Sequence, residues 1–266
     1  MTSAAESAPA DGASAPLVRV TTHDGVTTIT LDSPANRNAL SRRLVAELTE
    51  ALRTADEAQH VRVVVLTHTG GTFCAGADLA EAVAHGMEEG TRSLLALLRQ
   101  IVALSTPVVA VVRGHCRAGG VGLVGACDVV LAGEGATFAF TESLLGLAPA
   151  IISLTTRSRL QDRDASVKYL TGGVFGAEEA ARSGLVTRAV DDSDLEAELA
   201  SLLDALRAAS PQGLRETKAL LTRPLLSRID ADGDALVALS ARLFGSEEAR
   251  EGMTAFKEKR PPRWAT

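Results

Sequence analysis

Two nearly continuous runs of β-branched residues constrain the fold of this chain more than any other feature. Residues 61–67 read VRVVVLT and residues 107–112 read PVVAVV, with little alternation of polar and apolar side chains. Runs of this kind are typical of strands buried on both faces, as in a parallel sheet covered by helices. Residues 91–104, between the two runs, have the apolar spacing of an amphipathic helix. The sequence therefore predicts an α/β fold built around a parallel sheet.

Further strands and helices are predicted on both sides of this unit. Asp24-Gly25 lies between two apolar runs and indicates a β-hairpin. Ser41 suits an N-cap, and apolar residues at helical spacing follow it, so a helix is predicted over 42–58. After residue 150 nearly every segment has helical spacing, which indicates an α-helical C-terminal part. The other predicted elements are strands at 17–20, 26–31, 129–132, 137–140 and 186–190, and a helix of small residues near 120–126.

Composition excludes several classes of function. The chain of 266 residues carries 27 Lys+Arg against 33 Asp+Glu, a net charge of −6, and the basic residues do not cluster. A nucleic-acid or anionic-membrane surface is therefore not predicted. Three cysteines without a C-x-x-C pair argue against a disulfide framework or a structural zinc site, and they favour the reducing cytoplasm. No apolar run reaches the roughly 18 residues that a membrane span needs.

The first 16 residues are rich in Ala, Ser and Pro and have neither a basic residue nor an apolar block. This composition predicts a disordered leader rather than a signal peptide.

The sequence gives little support for a dinucleotide-binding site or a metal site. Residues 120–125 read GVGLVG and satisfy the G-x-G-x-x-G pattern of dinucleotide-binding proteins. That pattern should leave a strand directly and open a helix, whereas here seven residues separate it from the preceding strand. The five histidines show no metal-ligand spacing, so no metal site is predicted.

Two loops of small residues, 73–79 and 114–120, are the more interesting segments. Each follows a predicted buried strand, and the carboxyl ends of such strands are where α/β proteins bind ligands. Small residues let a ligand approach the backbone closely, and free amides at a helix start can act as donors. Two converging amides would form an oxyanion hole, worth on the order of 3 kcal/mol per donor. Tight turns without any chemistry explain the same residues equally well.

At these loops the chain resembles the crotonase superfamily, the enoyl-CoA hydratase/isomerase family. The matching segments are SPANRNALS at 33–41, GGTFCAGADL at 70–79, VVRGHCRAGGVGLVGACDVVLA at 111–132, FAFTESLLGLAPA at 138–150 and EGMTAFKEKRPPRW at 251–264. The resemblance implies a spiral of ββα units, with a core at 17–200 and a helical oligomerisation region at 201–266. It also implies a homotrimer that commonly pairs into a dimer of trimers, and an acyl-CoA thioester as substrate. No separate cofactor is implied, because coenzyme A is part of the substrate.

The resemblance also implies roles for individual residues. The amides of Ala77 and Gly119 match the two oxyanion donors, and Glu142 matches a catalytic glutamate. Phe256 and Lys259 match residues that cover the coenzyme A of a neighbouring subunit. The full set implied for coenzyme A binding is Arg37, Ala75, Asp78, Leu79, Phe256 and Lys259.

One position departs from the family pattern. Typical hydratases have two glutamates around a bound water, and the first of these falls on Gly122 here. Three interpretations follow: a hydratase that works with Glu142 alone, an isomerase that shuttles a proton with Glu142, or an acyl-CoA-binding pseudoenzyme. Another polar group could also replace the missing glutamate, and the candidates are Asp78, Glu81 and His85.

Glu142 should be recognisable by its environment if it is catalytic. Partial burial among its apolar neighbours would raise its pKa toward the working pH. These predicted neighbours are Phe138, Phe140, Leu144 and Leu145. A glutamate that only caps a helix or pairs with an arginine would show no such environment. The acyl group itself is not determined: Leu94, Leu97 and Leu98 fit either the core or an acyl pocket, and Arg157 and Arg159 could meet a distal carboxylate.

Overall fold

The computed structural model describes residues 15–81 and 87–265. Most of the predicted leader, residues 1–14, lies outside the described residues, and so does His85. The described part has an α/β architecture with two sheets and a helical C-terminal region, as predicted.

A six-stranded sheet forms the centre of the molecule. Its strands, in the order in which they lie side by side, are β1 (Val18–His23), β2 (Val26–Leu31), β3 (Val63–His68), β5 (Val108–Val112), β7 (Val129–Gly133) and β10 (Arg188–Val190). β1 and β2 form an antiparallel hairpin, and the other neighbouring strands run parallel. The two β-branched runs form β3 and β5, which lie side by side, and β5 is buried throughout. Both predictions are therefore confirmed.

A second, smaller sheet was predicted only in part. It contains β4 (Thr72–Cys74), β6 (His115–Arg117), β8 (Thr137–Ala139) and β9 (Phe175–Gly176), in that order. Only β8 was predicted, because the glycines at 133 and 135 indicate a turn between it and the preceding strand, whereas the similarly short β4, β6 and β9 show no alternating pattern. β4 and β6 overlap the first residues of the two segments predicted as small-residue loops, so those residues form strands instead. The two strands pair in parallel, and this sheet therefore sets the distance between the loops.

Helices cover the sheets, and their bounds lie close to the predicted ones. Ser41 caps the first helix as predicted, because its Oγ accepts a hydrogen bond from the Leu44 amide at 3.2 Å. The described helices are α1 (Arg42–Glu57), α2 (Glu88–Ala103), α3 (Gly119–Ala126), α4 (Ala150–Thr156), α5 (Asp162–Thr171), α6 (Ala177–Arg182), α7 (Leu195–Ala208), α8 (Pro211–Phe244) and α9 (Glu247–Glu258). None of the described helices is long and apolar enough to cross a membrane.

The long helix α8 is tied to the core by a buried lysine. Lys218 Nζ lies 2.8 Å from Asp128 Oδ2 and donates to the carbonyl oxygens of Ile101 and Thr106. These three acceptors satisfy a charge that would otherwise be costly to bury. The contact fixes α8 against α2, and the C-terminal end of α8 then reaches the functional region described next.

Candidate functional site

A cavity of about 570 Å³ lies between the two small-residue loops and the helices that cover them. Its walls come from both loops, from a 3-10 turn at Thr141–Leu145, and from parts of α1, α2, α4, α8 and α9. Residues far apart in sequence thus meet around one space. Most of the implied site residues line it: Arg37, Ala75, Ala77, Asp78, Leu79, Gly119, Glu142 and Phe256.

The two loops touch each other at Gly76. This residue has a φ of +93°, which favours glycine, and a Cβ placed on it would lie 2.8 Å from the Ala118 Cβ. A Cβ placed on Gly119 would lie 3.7 Å from the Gly76 Cα. Glycine at these positions therefore allows the segment carrying Ala77 to approach the start of α3.

The amides of Ala77 and Gly119 are available to a ligand. Within the part of the chain that the structure describes, neither of them donates a hydrogen bond. Gly119 is the first residue of α3, where amides have no partner inside the helix and the helix dipole favours negative charge. The residue before it, Ala118, has a φ of 46° and donates its own amide to the Ala139 carbonyl. That left-handed backbone costs about 1–3 kcal/mol, and such strain is typical of functional sites.

Glu142 supplies a buried carboxyl group to the cavity. It lies in the 3-10 turn that follows β8, and its Oε2 atom is buried without a hydrogen-bond partner among the described residues. Burial raises the pKa of this carboxyl from 4.5 to about 7. Two of the predicted neighbours, Phe138 and Phe140, are fully buried, whereas Leu144 is exposed. No arginine pairs with Glu142 in the described chain, so the predicted environment of a catalytic glutamate is present.

The side chain of Ile152 lies where a first glutamate would have to begin. A Cβ placed on Gly122 would lie 2.6 Å from the Ile152 Cγ2 and 3.4 Å from the Leu98 Cδ1. Gly122 is fully buried in α3, and Ile152 rather than Gly122 lines the cavity. The chain therefore has an apolar wall at the place where the resemblance implies the first of the two glutamates.

Gly122→Ala is expected to destabilise the protein by about 1–3 kcal/mol, because the new methyl group overlaps Ile152 in a packed core. Denaturant unfolding measures this change. Gly176→Ala is the matched control, since a Cβ there meets no atom within 4 Å. Adding Ile152→Ala should remove most of the cost of Gly122→Ala relative to Ile152→Ala alone. Unchanged stability of the single variant would contradict the packing described.

The residues implied for coenzyme A binding differ in whether their side chains already have hydrogen-bond partners. Arg37 is exposed, and its carbonyl accepts the Ala75 amide at 3.1 Å, which links the two segments. Asp78 is occupied: its Oδ2 accepts from Asn36 Nδ2 at 2.8 Å, and its Oδ1 accepts from the Ala80 and Glu81 amides. Asp78 therefore has a structural role at a helix start.

The two C-terminal residues implied for coenzyme A differ in their position. Phe256 is 58% exposed and lines the cavity of its own chain, and its place over the coenzyme A of a neighbouring subunit stays a prediction. Lys259 ends α9 with a φ of 55° and does not line the cavity.

The remaining polar candidates are engaged elsewhere. Glu81 Oε2 accepts the Arg42 amide at 2.9 Å, and His85 lies outside the described residues. Arg157 pairs with Asp162, and Arg159 donates to backbone carbonyls at Gly125 and Cys127. Neither arginine lines the cavity, so neither can meet the end of an acyl group there. Among the leucines, Leu94 lines the cavity, and Leu97 and Leu98 are buried in the core.

The dinucleotide pattern has no room for a ligand. Residues 120–125 are buried in α3, and a Cβ on Gly120 would lie 2.7 Å from the Cys74 Cβ. The glycines therefore serve close helix packing. Across residues 15–81 and 87–265, no group of three His, Cys, Asp or Glu side chains comes together as metal ligands.

Comparison with known proteins identifies the family. The model of the family "Enoyl-CoA hydratase/isomerase" matches residues 21–266. The chain belongs to the enoyl-CoA hydratase/isomerase family. An enoyl-CoA hydratase from Mycobacterium avium of known structure is 50% identical, with a TM-score of 0.88, over 94% of this chain and 100% of that one.

More distant relatives agree with this assignment. An enoyl-CoA hydratase/isomerase from Pseudoalteromonas atlantica is 30% identical, with a TM-score of 0.85, over 93% of this chain and 99% of that one. The mevalonyl-coenzyme A hydratase of Aspergillus fumigatus is 34% identical over 89% of this chain and 90% of its own length. The crotonase fold and membership of this enzyme family are thereby shown.

Sequence analysis missed three residues of the site. Ile152 was read only as part of a helical segment, and Thr91 and Ser240 were not singled out. No local pattern distinguishes them, because their importance depends on neighbours that are distant in sequence: Gly122 for Ile152, and each other for Thr91 and Ser240.

Proposed function

We propose that this family member hydrates 2-enoyl-CoA thioesters by using Glu142 as its only catalytic carboxyl group. The observation that carries the proposal is the buried, unpaired Glu142 in the same cavity as the free amides of Ala77 and Gly119. A base and an oxyanion hole are the two parts that addition to an unsaturated thioester requires. The relatives named as hydratases support the same reaction class.

One carboxylate can complete the proposed reaction. Glu142 takes a proton from water as the water oxygen bonds to C3 of the enoyl group. The electron pair of the C2–C3 double bond moves toward the thioester oxygen, which accepts hydrogen bonds from the amides of Ala77 and Gly119. Glu142 then returns the proton to C2, which yields a 3-hydroxyacyl-CoA and restores the carboxylate. Because one group handles both steps, the hydrogen and the hydroxyl add to the same face.

An isomerase is the second candidate, and the position of Ile152 favours it. With an apolar wall at Gly122, a second carboxylate is absent from the place where it would hold the water. Isomerisation needs no water: Glu142 would take a proton from C2 of a 3-enoyl-CoA and return it to C4. The double bond then moves into conjugation with the thioester.

Two absorbance assays separate the candidates. Crotonyl-CoA loses the absorbance of its conjugated thioester on hydration, and a 3-enoyl-CoA gains that absorbance on isomerisation. Hydration supports the first proposal, and isomerisation alone supports the second. If neither occurs while CoA thioesters still bind, either an unusual acyl substrate or the pseudoenzyme is favoured. Failure to bind any CoA thioester would contradict all three.

The rate of either reaction is expected to rise with pH. Both reactions start from the Glu142 carboxylate, and the pKa of that group is about 7. Below this value the carboxylate fraction falls tenfold per pH unit, so kcat/KM at pH 6 should be about one tenth of its plateau above pH 8. A pH profile of kcat/KM measures the apparent pKa. A profile that is flat between pH 5 and 8 would exclude Glu142 as the base.

We also infer self-association into trimers. Several apolar side chains are exposed on the single chain, among them Leu170 on α5 and Leu220 and Leu221 on α8. Burial of such side chains between copies is favourable, and their presence supports the helical region as an oligomerisation surface. A cytoplasmic location remains a prediction from the cysteine content.

A further inference from the structure

Two buried hydroxyl groups face each other in the wall of the cavity. Thr91 lies in α2 and Ser240 lies near the C-terminal end of α8, and both line the cavity. Thr91 Oγ1 and Ser240 Oγ are 3.5 Å apart, which is the upper limit for a hydrogen bond. Each hydroxyl therefore keeps most of its capacity to bind another group.

Three other hydroxyls in helices of this protein are satisfied locally. Thr222, Ser166 and Thr171 each donate to the carbonyl four residues earlier, at 2.9, 2.9 and 2.8 Å. This local bond is the usual solution for Ser and Thr within helices. Over the described chain, the hydroxyls of Thr91 and Ser240 make no such bond. A buried hydroxyl without a good partner is costly, so this pair requires an explanation.

The pair lies one helical turn from the oxyanion region. A Cβ placed on Gly119 would lie 3.5 Å from the Leu94 Cδ2, so Leu94 is beside the second donor amide. Thr91 is three residues before Leu94 on the same face of α2, about 4.5 Å along the helix axis. An acyl chain that runs from a thioester oxygen near Gly119 along α2 past Leu94 would reach Thr91 with about its fourth or fifth carbon.

The cavity that the pair lines is largely apolar, which suits a neutral oxygen rather than a charge. Phe244 is one helical turn from Ser240, and Leu147 and Ile151 also line the cavity. Arg42, another lining residue, is already paired with Glu89 at 2.8 Å. Transfer of an unpaired carboxylate into such a wall is strongly unfavourable, whereas a hydroxyl or carbonyl oxygen needs only a donor or an acceptor.

We propose that Thr91 and Ser240 form a specificity subsite for a neutral oxygen, a hydroxyl or a carbonyl, on the distal part of the acyl chain. This inference rests on the proposed acyl-CoA function and names the substrate class of that site. Thr91 and Ser240 take no part in the proton transfer. They select oxygen-bearing acyl groups over plain hydrocarbon chains of the same shape.

Binding of two nearly isosteric thioesters tests the subsite without any turnover. 5-Oxohexanoyl-CoA and 5-methylhexanoyl-CoA differ in whether the fifth carbon carries an oxygen or a methyl group, and neither has a double bond to hydrate. Isothermal calorimetry gives the two Kd values and their ratio. The wild type should bind the oxo compound more tightly, and Thr91→Val and Ser240→Ala should each shift the ratio about 5- to 10-fold toward the methyl compound.

A matched control and the second variant make the test decisive. Thr222→Val removes a buried hydroxyl from α8 that does not line the cavity, so it should leave the ratio unchanged. Thermal unfolding shows whether each variant is folded, and Ser240→Ala remains informative if Thr91→Val is not. A ratio that neither variant changes would overturn the subsite while leaving the proposed function intact. Failure of both thioesters to bind the wild type would overturn both proposals.

Discussion

Glu142→Gln is expected to lower kcat about 10²- to 10⁴-fold, because it removes the carboxyl group that we propose as the agent of proton transfer. The substitution keeps the shape of the side chain, so the KM for a CoA thioester should change little. Steady-state kinetics on whichever thioester the protein turns over measures both constants. Glu134→Gln is the matched control, since Glu134 is exposed in the turn between β7 and β8.

The same variant is expected to be more stable than the wild type above pH 7. The pKa of Glu142 is about 7 in the folded protein, against 4.5 for the free group. Between these values the folded state keeps the proton that the unfolded state releases, so stability falls as the pH rises from 4.5 to 7. Glutamine avoids this loss, which amounts to on the order of 3 kcal/mol at most.

Thermal unfolding at two pH values measures the effect. The Tm of Glu142→Gln should exceed that of the wild type by several degrees at pH 8, and the two should be similar at pH 4.5. A catalytic loss without any pH-dependent gain in Tm would mean that the carboxyl is not buried as described. Retention of full activity would remove Glu142 from the mechanism.

Gly76→Ala is expected to lower kcat/KM about 10²- to 10³-fold, which is the effect of losing one oxyanion donor. The new methyl group would lie 2.8 Å from the Ala118 Cβ, and the φ of +93° is unfavourable for alanine. The two loops must therefore separate, which moves the Ala77 amide away from the Gly119 amide.

Gly71→Ala provides the control for this loop. Gly71 lies at the start of the same segment, its φ is not left-handed, and a Cβ there meets no atom within 4 Å. Its kinetics should stay within about threefold of the wild type, because a surface substitution of this kind changes stability by less than about 0.5 kcal/mol. Equal activity of both variants would show that contact between the loops is unnecessary.

The strands and the first helix could be predicted because their signals are local. β3 and β5 are buried on both faces, and strands of this kind have nearly continuous apolar runs in their sequence. The β-branched runs at residues 61–67 and 107–112 are such runs. Ser41 and the apolar spacing after it determine the start of α1 in the same way. The two small-residue loops could be located because they follow such strands, and their motifs indicated the family that the comparisons then showed.

What the two loops form depended on contacts that no local pattern records. Gly76 and Gly119 are 43 residues apart in sequence, and only the parallel pairing of the very short strands β4 and β6 brings their backbones together. The raised pKa of Glu142 likewise follows from burial in the folded chain. Spacing alone therefore left a tight turn and an oxyanion hole as equal interpretations.

The sequence by itself determined the α/β class, the buried strands, the loops and the glycine at position 122. The tertiary structure decided that Ile152 fills the space beside that glycine, that Phe256 lines the cavity of its own chain, and that Thr91 meets Ser240 across 149 residues. The physical reason is the separation in sequence between the residues that interact. Hydrophobic periodicity and capping act between residues a few positions apart, whereas a cavity is defined by side chains that only packing brings together.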